Sequence, residues 1–319
     1  MNKIICIPYS PSMEMKWNEA VAHAKNGTFL FHRGFMDYHK ERFTDSSLIF
    51  YKSNGCVAGL FPACIDSETK VVTSHGGLTY GGFILSTSTK LIEVGEMMKL
   101  ALNHYKEIGV NTVFYKAIPE IYHCYPSQDD LYWLFRKNAQ LYERKAGQTI
   151  RLDKEEIPFS ELRLRKIRKS LRGNSEIICS FENIADYWEL LKRVLNSLHN
   201  VNPVHSLQEI VYLHKQFPQH IKLYSSLVNH RVQAGVLVFE CGDVAHAQYI
   251  AASDLSRKEG LLDGLLFKII SEYRSRNFKY FDFGISTENG GWILNEGLVF
   301  QKEGFGARTI CYDTYKLAL

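Results

Sequence analysis

Residues 221–252 read IKLYSSLVNHRVQAGVLVFECGDVAHAQYIAA and contain three runs that are rich in β-branched and aromatic side chains. Turn-forming residues, Asn229-His230-Arg231 and Gly242-Asp243, separate the runs. This spacing predicts an antiparallel meander of three strands. The predicted strands are Ile221–Val228, Val232–Glu240 and Val244–Ala252.

A helix and a fourth strand follow the meander. Leucine and isoleucine recur at helical spacing within Leu261–Arg276, and the apolar run Lys279–Phe283 ends at Gly284. The first turn of a helix has unpaired backbone N–H groups and the positive end of the helix dipole, so a basic, glycine-bearing turn there is a candidate anion cradle. The alternative is a surface loop whose glycine permits a turn. The cradle residues are Arg257, Lys258, Gly260, Leu261 and Leu262.

This order of strands, basic turn, helix and strand resembles the GNAT superfamily of N-acyltransferases. In that superfamily an Arg/Gln-x-x-Gly-x-Gly/Ala turn binds the pyrophosphate of coenzyme A, and here Leu262 stands in the place of the last small residue. Three later segments resemble FemAB-like proteins, a two-domain branch of the superfamily: FDFGIST (281–287), LNEGL (294–298) and FQKEGFGAR (300–308). The resemblance extends from about residue 28 to the C-terminus and is strongest after Asn202.

The resemblance and the order of elements together predict the fold class. The strands and helices before residue 152 follow the same order as those in residues 174–319, which indicates a diverged tandem duplication. We expect an α/β (α+β) protein with two GNAT-like domains, each a mixed, mainly antiparallel twisted sheet flanked by helices. The predicted domains are residues 1–155, on the substrate side, and 174–319, with the cradle, joined by a basic connecting helix at 156–173.

Composition excludes several classes of protein. The 319 residues are 45% hydrophobic, which is enough for packed cores, and no apolar run is long enough to span a membrane. The seven cysteines include no Cys-x-x-Cys pair and the histidines lack ligand spacing, so we expect reduced thiols and no metal. A net charge of +4 does not indicate a nucleic-acid-binding protein. With no signal peptide evident, we expect a cytoplasmic location and no membrane partner, while the oligomeric state is not predictable.

The connecting segment ELRLRKIRKSLR (161–172) predicts an amphipathic helix with Leu164, Ile167 and Leu171 on one stripe and basic residues elsewhere. Two interpretations are open: a solvated helix that joins the domains, or a cationic wall for a phosphorylated substrate in an interdomain cleft. The segment lacks the interleaved aromatic residues on which nucleic-acid bases stack, so a nucleic acid is the less favoured partner.

The GNAT resemblance implies where the acyl donor binds. In that fold the fourth and fifth strands part, and the pantetheine arm of coenzyme A pairs with the backbone of the fourth strand. Here those strands are Val244–Ala252 and Lys279–Phe283. Acyl-coenzyme A is therefore the expected co-substrate, with the cradle at its pyrophosphate. The implied backbone partners of the pantetheine arm are Ile250, Ala251 and Ala252.

Amide formation from a thioester requires a group that takes a proton from the attacking amine. Strand alternation places His246, Gln248 and Ile250 on one face, and two polar side chains on an apolar strand indicate a wall facing a ligand. Histidine is a common general base at neutral pH, so His246 is the predicted base, unless its ring is bonded within the core or to a neighbouring loop. Asp282, near the end of the last strand, accepts or orients a proton of the amine, or else caps the turn at Gly284–Ser286.

Further residues are predicted at the amine substrate. Lys302 lies in a Phe-x-Lys-x-x-Phe-Gly segment whose lysine contacts a substrate phosphate in FemAB-like proteins, and an ion pair with Glu303 is the alternative. His205, before a capping box, is an alternative base, a substrate ligand or a plain loop histidine. The glycine-rich loop His75–Gly82 either offers backbone N–H groups to substrate or is an extended connection. The predicted substrate-binding residues are His75, Tyr80, Gln248, Asn295 and Lys302.

These expectations together describe an N-acyltransferase. It would move an acetyl or short hydroxyacyl group, such as hydroxybutanoyl, from coenzyme A to the amino group of a nucleotide-linked sugar. The compact length resembles acyltransferases that act on dTDP-linked amino-dideoxyhexoses in the biosynthesis of surface polysaccharide. Two alternatives remain: a FemX-like aminoacyl-tRNA-dependent transferase of peptidoglycan bridge synthesis, with tRNA as a partner, and a non-catalytic GNAT-fold ligand-binding protein.

Overall fold

The computed structural model describes residues 3–154, 156–199 and 201–319, which form two compact units. Unit 1 consists of Met1–Ala146, Thr287–Ile293 and Cys311–Leu319, and unit 2 consists of Gly147–Ser286 and Leu294–Ile310. The sequence predicts contiguous halves instead. The difference arises because the C-terminal strand runs from unit 2 into unit 1, where its last residues pair with a unit 1 strand.

The helices and strands of the described residues follow one another in this order. In the first half they are β1 (Ile4–Pro8), α1 (Glu14–Ala22), α2 (Arg33–Met36), β2 (Thr44–Asp45), β3 (Leu48–Lys52), β4 (Val57–Phe61), β5 (Cys64–Asp66), β6 (Val71–Thr73), β7 (Ile84–Leu85), α3 (Leu91–Glu107), β8 (Thr112–Lys116), α4 (Asp129–Arg136) and β9 (Gln140–Arg151). In the second half they are α5 (Glu161–Arg172), β10 (Glu176–Cys179), α6 (Ile184–His199), α7 (Leu207–Gln216), β11 (Ile221–Val228), β12 (Arg231–Cys241), β13 (Val244–Ala252), α8 (Asp254–Glu259), α9 (Leu261–Ser275), β14 (Tyr280–Ile285), β15 (Thr287–Glu288), β16 (Ile293–Leu294), α10 (Glu296–Glu303) and β17 (Arg308–Ala318).

Unit 1 combines a small antiparallel sheet with a second group of strands. The small sheet has the order β1-β3-β4-β7, and Gly55 supplies the positive φ, 83°, of the β3–β4 turn. In the second group β6 runs parallel to β8, β5 is antiparallel to β6, and the end of β17 is antiparallel to β8. Helix α3 buries Met97, Met98 and Tyr105 in the unit's apolar core.

Unit 2 contains the meander that the sequence predicts. Strands β10, β11, β12 and β13 pair in antiparallel order, and Asn229 and His230 form the β11–β12 turn with φ of 50° and 60°. Strand β14 is parallel to β13, and the end of β9 is antiparallel to β14. The apolar face of α9 packs on the meander in one core that includes Leu265, Ile269 and Phe281. The predicted order of strands and of α9 is confirmed, but the basic turn expected before α9 is wrong in part, because Asp254–Glu259 form the short helix α8 with Ser253 as its N-cap.

Local capping explains where two unit 2 helices begin. Ser206 and Glu209 form the predicted capping box of α7, with each side chain bonded to the other's backbone N–H. At α10, the Asn295 side chain accepts a hydrogen bond from the backbone N–H of Leu298. The sequence also predicts a short helix around Trp292–Leu298. The structure places this helix later, at Glu296–Glu303, because Asn295 is its N-cap.

No helix within the described ranges combines the length and the apolar character needed to cross a bilayer.

Candidate active site

Strands β13 and β14 lie side by side over only a short distance. They pair in parallel at Val244↔Tyr280, Ala245↔Phe281 and His246↔Asp282, and the ladder between these two strands ends there. Beyond this point each strand continues to its own end, Ala252 in β13 and Ile285 in β14. The two strands therefore leave an opening whose narrow end is marked by His246 and Asp282.

A β-bulge lies in β13 just beyond the point where the strands part. The register against β12 shifts between Leu237↔Tyr249 and Val238↔Ala247, so Gln248 is the extra residue. An extra residue reverses the alternation of side chains that follow it. The prediction that Ile250 shares a face with His246 is therefore wrong: Tyr249 and Ala251 share that face, and Ile250 joins Ala247 on the face toward α9.

His246 and Asp282 form a buried hydrogen-bonded pair. His246 Nδ1 lies 2.8 Å from Asp282 Oδ2, and the two residues are 9% and 0% exposed. Asp282 Oδ1 also accepts a hydrogen bond from the backbone N–H of Gly284 at 3.0 Å, so this carboxylate both binds the imidazole and caps the turn. With a proton on Nδ1 toward the carboxylate, the neutral ring carries its basic lone pair on Nε2. The structure thus brings together the predicted base and the predicted orienting carboxylate.

Thr149 completes the environment of the carboxylate and is not predicted from the sequence. Its hydroxyl donates to Asp282 Oδ1 at 2.8 Å, and the side chain is 6% exposed. Thr149 belongs to β9, which pairs with β14 with Thr149 opposite Asp282. The sequence predicts the strand, but nothing local in it indicates which residue lies opposite Asp282.

Lys302 is buried at the end of β14. Its Nζ donates to the carbonyls of Gly284 and Ile285 at 2.9 and 2.8 Å and to Ser286 Oγ at 2.7 Å. Burial lowers the pKa of Lys302 to about 8, and the nearby charge of Asp282 acts in the opposite direction. The ion pair with Glu303 that the sequence allows is not among the contacts of the described residues. Lys302 instead fixes the backbone where β14 leaves the opening.

A cavity of about 310 Å³ lies on the α9 side of the opening. Ile250 and Ala252 of β13 and Phe283 of β14 contribute to its walls, together with other apolar side chains. Its charged lining comprises four cations and one carboxylate: Arg163, Lys166, Arg257, Lys302 and Asp263. Asp263 Oδ1 accepts a hydrogen bond from Arg163 Nη1 at 2.7 Å. Because this pair balances one cation with the carboxylate, the lining has an excess of positive charge. A ligand with both an apolar part and anionic groups matches this lining.

The predicted cradle is packed against α5. Gly260 adopts φ of 73°, and a Cβ there would lie 2.8 Å from the carbonyl oxygen of Lys166. The backbone N–H of Leu262 donates to Ser256 Oγ at 3.1 Å, and Leu261 is buried. Among the cradle residues Arg257 and Leu262 line the cavity, whereas the backbone carbonyl of the exposed Lys258 accepts a hydrogen bond from Lys169 Nζ. Close packing of α5 thus accounts for Gly260 without a ligand, and pyrophosphate binding stays a prediction.

His205 lies against Tyr249 on the His246 face of β13. Its Nδ1 is 2.7 Å from the Tyr249 hydroxyl, and the same hydroxyl accepts from the His205 backbone N–H at 3.3 Å. Burial raises the pKa of Tyr249. The His205–Tyr249 pair is a second polar contact on this face, and the sequence does not single out Tyr249.

The loop His75–Gly82 is closed within unit 1. Gly81 donates its N–H to the carbonyl of Lys116 at 2.9 Å, and Gly76 donates to Cys64 Sγ at 3.2 Å. Tyr80 is 2% exposed, and burial lowers the pKa of the 3% exposed His75 to about 3. The expectation that this loop presents free N–H groups, His75 and Tyr80 to substrate is therefore not supported, because both side chains are buried and the N–H groups of Gly76 and Gly81 are bonded within the unit.

Two other predicted substrate residues have local structural roles. Gln248 is the bulge residue of β13, and Asn295 is the N-cap of α10. In the part of the chain that the structure describes, no group of three or more His, Cys, Asp or Glu side chains is placed to hold a metal ion. The charged and titratable groups at the opening include the His246–Asp282 pair and the cavity cations.

Comparison with known proteins supports the same fold. Residues 160–290 match the family described as "Acetyltransferase (GNAT) domain", and no curated protein matches the sequence. FemX is similar in structure, with a TM-score of 0.71, 11% identity, and coverage of 99% of this chain and 97% of that chain. The C-terminal domain of a putative lysylphosphatidylglycerol synthetase from Agrobacterium fabrum has a TM-score of 0.64, 9% identity, and coverage of 96% and 92%. A tandem GNAT protein from the clavulanic acid biosynthesis pathway has a TM-score of 0.52, 10% identity, and coverage of 99% and 98%.

The fold and the matched domain define a GNAT acyltransferase fold. More particularly, residues 160–290 match a GNAT acetyltransferase domain, and the chain, with two units of mixed, mainly antiparallel structure flanked by helices, is similar in fold to FemX and to the tandem GNAT protein. The predicted GNAT domain in the second half of the chain and the predicted fold class are confirmed.

Proposed function

We propose that unit 2 transfers an acyl group from acyl-coenzyme A to an amine. The observation that carries the proposal is the opening between β13 and β14, which has the His246–Asp282 pair at its narrow end and a cation-lined cavity beside it. Proton transfer and thioester binding are the two tasks of the reaction, and the opening supplies groups suited to both.

The cavity lining fits the donor. Coenzyme A has phosphates at one end of its largely apolar, amide-containing pantetheine arm, and the cavity has cations beside apolar walls. Lys166 and Arg257 are the cations best suited to the phosphates, because Arg163 is paired with the buried Asp263 and Lys302 is bound to backbone carbonyls. Arg257 has only a long, exposed contact of 3.4 Å with Asp254. The bound thioester supplies an activated acyl carbonyl and a thiolate leaving group.

His246 is the proposed base. The attacking amine forms the new C–N bond and loses a proton to Nε2 of His246, while the C–S bond breaks and the thiolate leaves to be protonated. Asp282 holds Nδ1 and stabilises the imidazolium that forms, as a buried carboxylate does when it is hydrogen-bonded to a catalytic histidine. Thr149 and the Gly284 N–H keep Asp282 in place.

The proposed acceptor is the amino group of a nucleotide-linked amino sugar, such as a dTDP-linked amino-dideoxyhexose used for surface polysaccharide in the cytoplasm. The resemblance of the sequence to such acyltransferases supports this choice. An acetyl or short hydroxyacyl chain is the proposed donor group, since the cavity of about 310 Å³ is small and must also accommodate the pantetheine arm.

The test is thiol release from acetyl- and hydroxybutanoyl-coenzyme A in the presence of dTDP- and UDP-linked amino sugars, with the parent sugars lacking the amine as controls. The proposal predicts amine-dependent thiol release that is lost in Asp282→Asn. Thiol release that is the same with and without the amine, or no release with any acceptor, would contradict it. If the chain is instead a non-catalytic ligand-binding protein, we expect it to bind coenzyme A without turnover.

The packing of the cradle favours one second candidate, an aminoacyl-tRNA-dependent transfer. The backbone N–H of Leu262 is already bonded to Ser256 Oγ, and α5 lies against Gly260, which leaves less of the helix N-terminus for a pyrophosphate. Transfer of a radiolabelled amino acid from aminoacyl-tRNA to an amine acceptor, with no thiol release from acyl-coenzyme A, would select this candidate over the first.

A further inference from the structure

The outward surface of α5 carries a stripe of arginines. Arg165, Arg168 and Arg172 are all exposed, and their spacing of three and four residues places them on one side of the helix over about 10 Å. Lys169 lies next to them and pairs with Glu259 at 3.0 Å. The acidic residue of this helix is Glu161, in its first turn.

The three arginines have no carboxylate partners within the described residues. The ion pairs of α5 involve other residues, namely Arg163 with Asp263 and Lys169 with Glu259. A surface cation is ordinarily balanced by neighbouring carboxylates or left isolated, whereas three unbalanced guanidinium groups in a row produce a local positive potential. The stripe therefore suits a partner with several negative charges.

The inner side of α5 holds the stripe rigidly in place. Ile167 is 3% exposed and lies in the unit 2 core, and Ser170 faces Gly264 of α9. The buried Arg163–Asp263 pair joins the two helices at 2.7 Å. Because the helix is fixed by these contacts, its arginines are presented together without further ordering of the backbone.

Apolar side chains adjoin the stripe. Leu171 on α5 is 47% exposed and Leu255 on the neighbouring α8 is 43% exposed, and α8 adds the exposed cations Arg257 and Lys258. Neither helix contains an aromatic residue on which nucleic-acid bases could stack. Basic side chains mixed with exposed leucines suit the headgroup layer of an anionic bilayer better than a nucleic acid.

We propose that the α5 face, defined as Arg165, Arg168, Lys169, Leu171 and Arg172, docks unit 2 on a membrane surface that contains anionic phospholipid. The cations lie against lipid phosphates, and the leucine side chain enters the headgroup region. The sequence alone predicts no membrane partner, and the exposed face of α5 is the structural reason to revise that expectation. The proposal does not depend on which acyl donor the opening binds.

The test is co-sedimentation of the full chain with vesicles of phosphatidylcholine, with or without phosphatidylglycerol. We expect binding to the anionic vesicles alone, weakened by high salt, and about 100-fold weaker partitioning for the triple variant Arg165→Gln/Arg168→Gln/Arg172→Gln. The lysine triple Arg165→Lys/Arg168→Lys/Arg172→Lys keeps the charge and should bind anionic vesicles. The matched control, Lys99→Gln/Lys106→Gln/Lys137→Gln, removes the same charge from exposed positions of unit 1 and should bind as the wild type does.

Three outcomes would overturn the proposal. The first is that the wild type does not bind vesicles. The second is that the glutamine triple and the unit 1 control lose vesicle binding equally. The third is that the wild type binds tRNA but not vesicles, and that the glutamine triple loses this tRNA binding. Thermal midpoints of the variants, measured without vesicles, establish that the triple is folded.

Discussion

The fully buried carboxylate of Asp282 binds Nδ1 of the His246 imidazole, so Nε2 is the proposed proton acceptor. We expect His246→Gln to lower kcat for acyl transfer by about 10²- to 10⁴-fold, the usual contribution of a general base, with little change in KM for the donor. Steady-state thiol release measures both constants. His205→Gln is the matched comparison, and loss of turnover in that variant but not in His246→Gln would assign the base to His205.

Thr149 is predicted to act through Asp282. Thr149→Val removes the hydroxyl that donates to Asp282 Oδ1 while keeping the side-chain shape, and we expect a loss of about 1–3 kcal/mol in the free energy of unfolding together with a lower kcat. Thr149→Ser keeps the hydroxyl and should restore kcat. Denaturant unfolding and thiol release measure the two effects. A valine variant with wild-type kcat would mean that Thr149 has a structural role only.

Lys302 should make stability depend on pH in the alkaline range. Burial holds its pKa at about 8 in the folded chain, below the ordinary 10.5, so between these values the unfolded chain binds the proton more tightly and a rise in pH stabilises the fold. We expect the unfolding free energy of the wild type, minus that of Lys302→Met, to rise by up to about 1.4 kcal/mol per pH unit in this window. Urea unfolding at several pH values measures it, and a constant or falling difference would contradict the assignment.

At the scale of residues, the sequence identifies side chains more readily than their partners. His246 and Asp282 stand out because they are polar residues in apolar strands, and the structure places them in contact. Thr149 could not be found in this way, because it reaches Asp282 through the pairing of β9 with β14, which brings together residues 133 positions apart. The burial of His75 and Tyr80 is equally unpredictable from the sequence, because the burial of a glycine-rich loop depends on which distant residues pack over it.

At the scale of elements, the glycine before α9 serves helix packing. Gly260→Ala would combine the strain of φ at 73° with a contact of 2.8 Å between the new Cβ and the Lys166 carbonyl oxygen. Gly242→Ala is the matched control, because Gly242 has φ of 62° and a Cβ added there would meet nothing within 4 Å. We expect Gly260→Ala to destabilise the chain by at least about 1 kcal/mol more than Gly242→Ala, as measured by denaturant unfolding. Equal costs would mean that α5 does not depend on this close approach.

The strands of the meander and helix α9 follow from periodicity and turn residues and are predicted to within a few residues, whereas the short helix α8 is not predicted. The bulge at Gln248 is the exception that matters for the site. A bulge depends on the register between two strands, here β12 and β13, and no local feature of either strand marks it. This single extra residue moves Ile250 from the predicted face to the cavity side.

At the scale of the whole molecule, contiguous halves are the natural prediction for a tandem duplication. In the structure, however, Cys311–Leu319 belong to unit 1, where the end of β17 pairs with β8 and Leu317 is buried in the core of that unit. The repeated order of predicted helices and strands indicates how many units there are. It does not indicate which copy the terminal strand joins, because that depends on pairing between distant residues.

Binding of acyl-coenzyme A in the opening of unit 2 is the central claim, and the most direct measurement is the thermal midpoint of the purified chain with and without excess coenzyme A. A ligand at about a hundred times its dissociation constant adds roughly 2.7 kcal/mol to stability, which raises the midpoint by a few degrees. We expect this rise for the wild type and a smaller rise for Lys166→Gln/Arg257→Gln. An unchanged midpoint at millimolar coenzyme A would contradict the claim and favour the aminoacyl-tRNA-dependent candidate.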